Sequence, residues 1–181
     1  MTDHLGIEDI NIILTGFMGT GKSTVGRILA QKLGFEFVDT DILIVQTSGQ
    51  TIPEIFANQG EAAFRQYERD AADHLAQNSR QIISTGGRMM LDDYNRQVLE
   101  PTGPIFCLAA SAEEILRRVL EDVEGIERPL LKGDNPKGKI LALLEERAPL
   151  YGHYPQIETE GIDPEQIAQA ILNKINSNAM R

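Results

Sequence analysis

Gly16-Phe17-Met18-Gly19-Thr20-Gly21-Lys22-Ser23-Thr24 follows an apolar run at 10–14 and leads into the helix-forming Val25-Gly26-Arg27-Ile28-Leu29-Ala30. Strand, glycine loop, helix is the setting in which G-x-x-x-x-G-K-[ST] carries meaning. Its glycines let successive backbone N–H groups converge on one anion. The helix that follows adds unsatisfied N–H groups and the positive end of its dipole at the same point. In this pattern Lys22 reaches the β- and γ-phosphates and the Ser23 hydroxyl ligates Mg²⁺. A glycine-rich turn before an ordinary amphipathic helix is the plainer explanation, but here every fixed position is filled in the right context. The segment predicts a nucleoside triphosphate site.

Around that loop the composition is ordinary for one globular domain: 181 residues, 41% hydrophobic and 24% charged. A net charge of −10 argues against nucleic acid or an anionic membrane as partner. An acidic chain that binds an anion must concentrate its basic groups at the site, so arginines near motifs gain weight. No apolar run reaches the ~20 residues of a membrane span, and the N-terminus lacks the pattern of a secretory signal. The single cysteine, Cys107, sits in Ile105-Phe106-Cys107-Leu108 and reads as a buried strand thiol. His4, His74 and His153 lack ligand spacing for zinc. The expectation is a cytoplasmic monomer.

Short apolar strands alternate with longer helical patterns, which predicts parallel βαβ units. The candidate strands are 10–14, 35–38, 81–84, 105–108 and 156–159. Ser111-Ala112-Glu113-Glu114 reads as a capping box opening a helix that runs to 120. Asp163-Pro164 marks the start of the last helix, expected to reach about 176. Between 121 and 137 the chain is charged and aperiodic, the length of a lid. It contains Arg128-Pro129-Leu130-Leu131.

Further residues point at the same crevice. Asp39-Thr40-Asp41 ends the second strand, where a parallel sheet presents its carboxyl edge to a ligand. Alternation along extended backbone would put both aspartates on one side, one to hold Mg²⁺ and one to accept from substrate hydroxyls; a plain helix N-cap is the alternative. In Gly60-Glu61-Ala62-Ala63-Phe64-Arg65-Gln66-Tyr67-Glu68, Arg65 and Glu68 share a helix face, although a surface charge ladder has the same spacing. Gly86-Gly87 after the third strand permits close backbone approach to a ligand, although a tight turn explains the pair equally well. Arg147 precedes Pro149, expected to kink its helix; an exposed arginine on a helix with Leu141 and Leu144 in the core is the bland account.

In this order the motifs resemble the shikimate kinase family, of the nucleoside-monophosphate-kinase-like fold. The resemblance runs from about 12 to 171 and includes Ser48-Gly49-Gln50-Thr51-Ile52-Pro53-Glu54-Ile55-Phe56 and Arg147-Ala148-Pro149-Leu150-Tyr151. It implies a three-layer α/β fold, a five-stranded parallel sheet flanked by helices, in one domain over 1–181, with an acceptor region at 39–70 and a mobile lid at 121–137. It implies transfer of the ATP γ-phosphate to the 3-hydroxyl of shikimate. ATP would meet Gly19, Thr20, Gly21, Lys22, Ser23, Thr24, Arg118 and Arg128. Asp39 and Ser23 would hold Mg²⁺, Asp39 through water. Asp41 would bind the ring hydroxyls, Arg65 and Arg147 the carboxylate, Glu68 would orient Arg65 and Asp41, and Gly87 would offer its N–H. Lys22, Asp39, Asp41 and Arg128 form the expected catalytic set.

One position departs from the family pattern, which has a third glycine where Arg88 stands. The arginine either points away, leaving the backbone contact intact, or adds a cation to the carboxylate pocket or partly fills it. Activity is expected to survive. Two rival readings are a gluconate kinase on the same fold and a nucleotide-binding pseudokinase. Phe64-Arg65-x-x-Glu68 with Asp39-Thr40-Asp41 fits the shikimate pattern better than the first. The second would more plausibly have lost one of Lys22, Ser23, Asp39, Asp41, Arg65, Arg128 or Arg147, all of which are present.

Overall fold

The computed structural model describes residues 9–121 and 135–179. Five strands, β1 (Ile12–Thr15), β2 (Glu36–Asp39), β3 (Gln81–Ser84), β4 (Ile105–Ala109) and β5 (Gln156–Glu158), form one sheet in the order β2-β3-β1-β4-β5. Every pairing is parallel, with Ile13 opposite both Ile83 and Ile105. Each expected strand is present, its bounds moved by at most two residues.

The apolar runs of β1, β3 and β4 are continuous because the middle of the sheet is buried on both faces. Ile12 and Leu14 pack under α1 (Lys22–Leu33) and α8 (Pro164–Ala179), together with Ile82, Phe106, Leu108 and Ile171. Ile13, Ile83 and Cys107 face the other way. There they meet α2 (Thr40–Ser48), α3 (Ile52–Asn58), α4 (Gly60–Ala76), α5 (Asp93–Leu99), α6 (Ala112–Glu121) and α7 (Pro136–Tyr151). No described helix is long and apolar enough to cross a membrane.

Some local expectations change. The capping box at Ser111 is half formed: Glu114 N–H donates to Ser111 Oγ at 3.2 Å, but the Glu114 carboxylate turns to Arg117 and Arg118. Two guanidiniums outcompete one backbone amide, and the Ser111 N–H donates instead to Glu160. Helix α7 continues through Pro149, which falls in its last turn, and α8 reaches Ala179. The expected lid at 121–137 lies outside the described residues except for its ends, which belong to α6 and to the start of α7 with its Asn135 N-cap. Arg128 lies outside them too.

Candidate active site

The phosphate loop leaves β1 with Gly16 at φ +129°, where a Cβ would stand 2.3 Å from the Leu108 carbonyl oxygen. Only glycine fits between β1 and β4 at that point. Gly21 is the N-cap of α1, so Lys22, Ser23 and Thr24 form the helix's first turn with unbonded N–H groups facing the loop. The Lys22 ammonium donates to the carbonyls of Gly16 and Phe17 at 2.9 and 2.8 Å. Thr20 is buried and its hydroxyl donates to Phe17 O, closing the loop on itself. Beside the loop opens a cavity of about 700 Å³ lined by Thr20, Gly21, Thr24, Arg118, Thr159 and Pro164, among others. Arg118 spans its wall: Nη1 donates to Gly19 O and Thr159 Oγ1, Nη2 to Thr159 O, and Nε to Glu114.

At the end of β2 both readings of Asp39 hold together. Its Oδ1 accepts from the N–H groups of Asp41 and Ile42, capping α2, and its Oδ2 accepts from the Ser23 hydroxyl at 2.9 Å. Ser23 Oγ and Asp39 Oδ2 are hard oxygen donors beside the phosphate loop and fit Mg²⁺. No cluster of three or more His, Cys, Asp or Glu among the described residues could hold a metal ion. An ion here would therefore complete its shell with phosphate oxygens and water, as Mg²⁺ does.

Asp41 is not on extended backbone, as strand alternation predicted; it lies in the first turn of α2, because Asp39 caps the helix two residues earlier. Burial first, then Asp39, pushes the Asp41 carboxyl up from 3.8 to about 6, against the pull of Lys22 and Arg65. Gly86 lies against it: a Cβ there would stand 2.7 Å from Asp41 Oδ1. Thr40, buried next door, accepts the Gly86 N–H at 2.8 Å and fixes that approach.

Helix α4 supplies Arg65 and Glu68. Arg65 Nη1 donates to Glu68 Oε2 at 2.6 Å, and Glu68 is 2% exposed, so this pair is no surface ladder. Burial raises the Glu68 carboxyl even with Arg65 alongside. The ladder exists as well: Arg65 also donates to the exposed Glu61. Arg147, read on the bland account as exposed, is 4% exposed. Its guanidinium lies over the Phe17 ring at 5.2 Å, and Nη1 donates a long 3.5 Å bond to Gly87 O. Its Nε has no hydrogen-bond partner, and among the described residues no carboxylate pairs with it. The Gly87 carbonyl also accepts from Tyr151 Oη at 2.5 Å.

Arg88 points to the rim. Its backbone, at φ −116°, is one that any residue adopts, so the glycine of the family pattern is not required there. Its side chain, 46% exposed, donates to Glu61 Oε1 at 3.2 Å. Sequence reasoning assigned no role to Glu61, Thr40, Thr159 or Tyr151. The one signal available was spacing, since Tyr151 follows Arg147 by four residues and shares its helix face.

A family model described as shikimate kinase matches residues 18–176. A shikimate kinase of Thermodesulfovibrio yellowstonii is 44% identical over 165 residues, covering 91% of this chain and 94% of that one. One from Geobacter metallireducens is 43% identical over 162 residues, 89% of each. The structure of an Acinetobacter baumannii shikimate kinase in complex with shikimate superposes with a TM-score of 0.88 at 38% identity, covering 97% of both chains. The strand order, the loop at Lys22 and the arginines around Gly87 thus occur in a chain similar to these over nearly its whole length. This chain belongs to the shikimate kinase family, ATP-dependent enzymes that phosphorylate shikimate.

Proposed function

We propose that phosphoryl transfer from ATP to shikimate is divided here between two groups of residues meeting at Asp41. The triphosphate takes the N–H groups of Gly19, Thr20, Gly21, Lys22, Ser23 and Thr24, with the Lys22 ammonium leaving its loop carbonyls for the phosphates. The adenine side fills the 700 Å³ cavity against Arg118. Ser23 and Asp39 hold Mg²⁺, which when bound offsets phosphate charge. Arg128 reaches the transferring group from the segment 121–137, a role carried over from the family pattern.

On the acceptor side Arg147 and Arg65 grip the carboxylate, Gly87 offers its N–H, and Glu68 holds Arg65. Asp41 accepts a hydrogen bond from the reacting hydroxyl; with its value near 6 it is ionised at neutral pH yet close enough to take a proton. Transfer passes through a loose transition state, so positioning and charge neutralisation are the main work of these groups.

One observation carries this reading: Arg147 is a buried cation with an orphaned Nε and no carboxylate partner among the described residues. An unpaired buried charge is costly, and an incoming hydroxy-acid carboxylate removes that cost. The reading is of a single kinase domain over 1–181, acting as a monomer. The buried free Cys107 fits a cytoplasmic protein.

The test is ADP release with Mg-ATP and shikimate, beside gluconate and a no-acceptor control. Turnover is expected with shikimate alone. Preference for gluconate would overturn the acceptor assignment, and ATP binding with no turnover on either acid would favour the pseudokinase.

A further inference from the structure

Arg65 is occupied on two edges. Its Nη1 donates to Glu68 Oε2, while Nε and Nη2 both donate to Glu61 Oε1, at 3.2 and 2.9 Å. The Nε/Nη2 edge is the fork with which a guanidinium grips a carboxylate through two parallel N–H bonds. Here that edge already holds a carboxylate belonging to the protein. The two acidic partners differ in burial: the Glu68 side chain is 2% exposed and the Glu61 side chain 55%. Glu68 is a fixed anchor, whereas Glu61 can leave.

Glu61 also has somewhere to go. The Oε1 that Arg65 grips accepts a bond from Arg88 Nη1 at 3.2 Å. Arg65, and to a smaller extent Arg88, holds the Glu61 carboxyl below its usual range, so it stays ionised at any pH where the site works. One carboxylate is thus shared between a guanidinium inside the site and one on its rim.

We propose that Glu61 stands in for the acceptor's carboxylate on Arg65 while the site is empty, and that Arg88 retains Glu61 when an acceptor displaces it. The proposal rests on the reading that Arg65 binds the acceptor's carboxylate. Its logic is conservation of ion pairs. With Arg88 present, the incoming carboxylate takes the Nε/Nη2 edge of Arg65 and Glu61 keeps a cation. Without Arg88, the displaced Glu61 would be left unpaired beside a second negative charge. Arg88 is therefore a positioning residue that acts through Glu61 and sets how readily Arg65 becomes available.

The experiment is a double-mutant cycle on the full chain with Mg-ATP and shikimate, measuring KM for both substrates and kcat. Glu61→Gln removes the competitor and is expected to lower the KM for shikimate. Arg88→Ala removes the retaining cation and is expected to raise it. Each change should be about two- to five-fold, the scale of exposed ion pairs. The Arg88→Ala effect should vanish in the double variant, because without Glu61 there is nothing to retain. Both single effects should shrink at high salt, with kcat and the KM for ATP unchanged and Arg88→Lys near wild type.

A rise in KM with Glu61→Gln would make Glu61 a support for Arg65 and overturn the proposal. An Arg88→Ala effect that persists in the double variant would mean that Arg88 meets the acceptor directly, which also overturns it. So would the absence of any KM change in variants that melt like wild type. If the wild-type chain does not turn over shikimate at all, it is the acceptor assignment that fails.

Discussion

The nucleotide half of the site and the acceptor half solve the same problem, holding cations ready for an anion, in opposite ways. In the nucleotide half the charges described are already satisfied. Lys22 rests on two loop carbonyls, and Arg118 bonds Gly19, Thr159 and Glu114. Arg117 and then Arg118 hold the Glu114 carboxyl down to about 2. In the acceptor half Arg147 is buried with an orphaned Nε, and burial drives the carboxyls of Asp41 and Glu68 up. On the proposed assignment, the first half is satisfied as folded, whereas Arg147 in the second takes its carboxylate from the ligand. Relief of that buried charge adds to the affinity for an acceptor whose charges match.

The largest effect tests the completed half. Lys22→Ala should cut kcat on the order of 10³-fold, the scale of losing one preorganised charge-stabilising group, while the melting temperature stays close to wild type. Wild-type turnover in that variant would remove Lys22 from the mechanism. The sharpest contrast comes from replacing one arginine in each half by Met, which keeps the stem and removes the charge. Arg147→Met should raise the KM for shikimate about 10²-fold, the cost of truncating one side of a buried charge pair, and leave the KM for ATP within two-fold. The empty protein should be no less stable, because a buried cation with no carboxylate partner among the described residues is being replaced by an apolar group. Arg118→Met should do the reverse, lowering the melting temperature of the empty protein by orphaning the buried Thr159 carbonyl, while Glu114 keeps Arg117. Destabilisation by Arg147→Met equal to that by Arg118→Met would erase the distinction between the halves.

The same contrast decides what could be read from the chain. The phosphate loop was legible because its function lies in contiguous backbone: glycines, a helix start and one lysine, all within nine residues. The central strands were legible as apolar runs buried on both faces. The acceptor half was legible as residue types but not as geometry. Its contacts join α4, the Gly86-Gly87 turn and α7 across separations of 20 to 60 residues or more, where spacing says nothing about distance. Arg147 read equally well as exposed, and only the docking of α7 against Phe17 and Gly87 buries it. Asp41 was expected on extended backbone because Asp39's capping of α2 had been treated as an alternative to its role beside Ser23. The carboxylate has two oxygens and does both. The half-formed cap at Ser111 failed for a related reason: Glu114 had stronger suitors in Arg117 and Arg118 than a backbone amide.

The last expected effect, a shift of about 6–12 °C in melting temperature, asks whether the strain assigned to the acceptor half exists before any ligand arrives. The folded-state value of Asp41, about 6, stands above its ordinary 3.8. A carboxyl raised in this way favours the fold in its neutral form; that contribution is complete below pH 3.8 and is lost as the pH rises through 6. Over the shift of about two units, ionised Asp41 costs the empty protein about 3 kcal/mol at neutral pH. Asp41→Asn removes the titration and should abolish most turnover, yet it should raise the melting temperature at pH 8, by ~2–4 °C per kcal/mol recovered. At pH 4 the two proteins should melt nearly together. The kcat/KM of the wild type should fall below pH 6, since the base must be ionised in the free enzyme. Saturating shikimate should close the gap at pH 8 by stabilising only the wild type. A gap that is the same at pH 4 and pH 8 would mean that the variant gains stability from packing, and that the carboxylate is under no strain in the empty site.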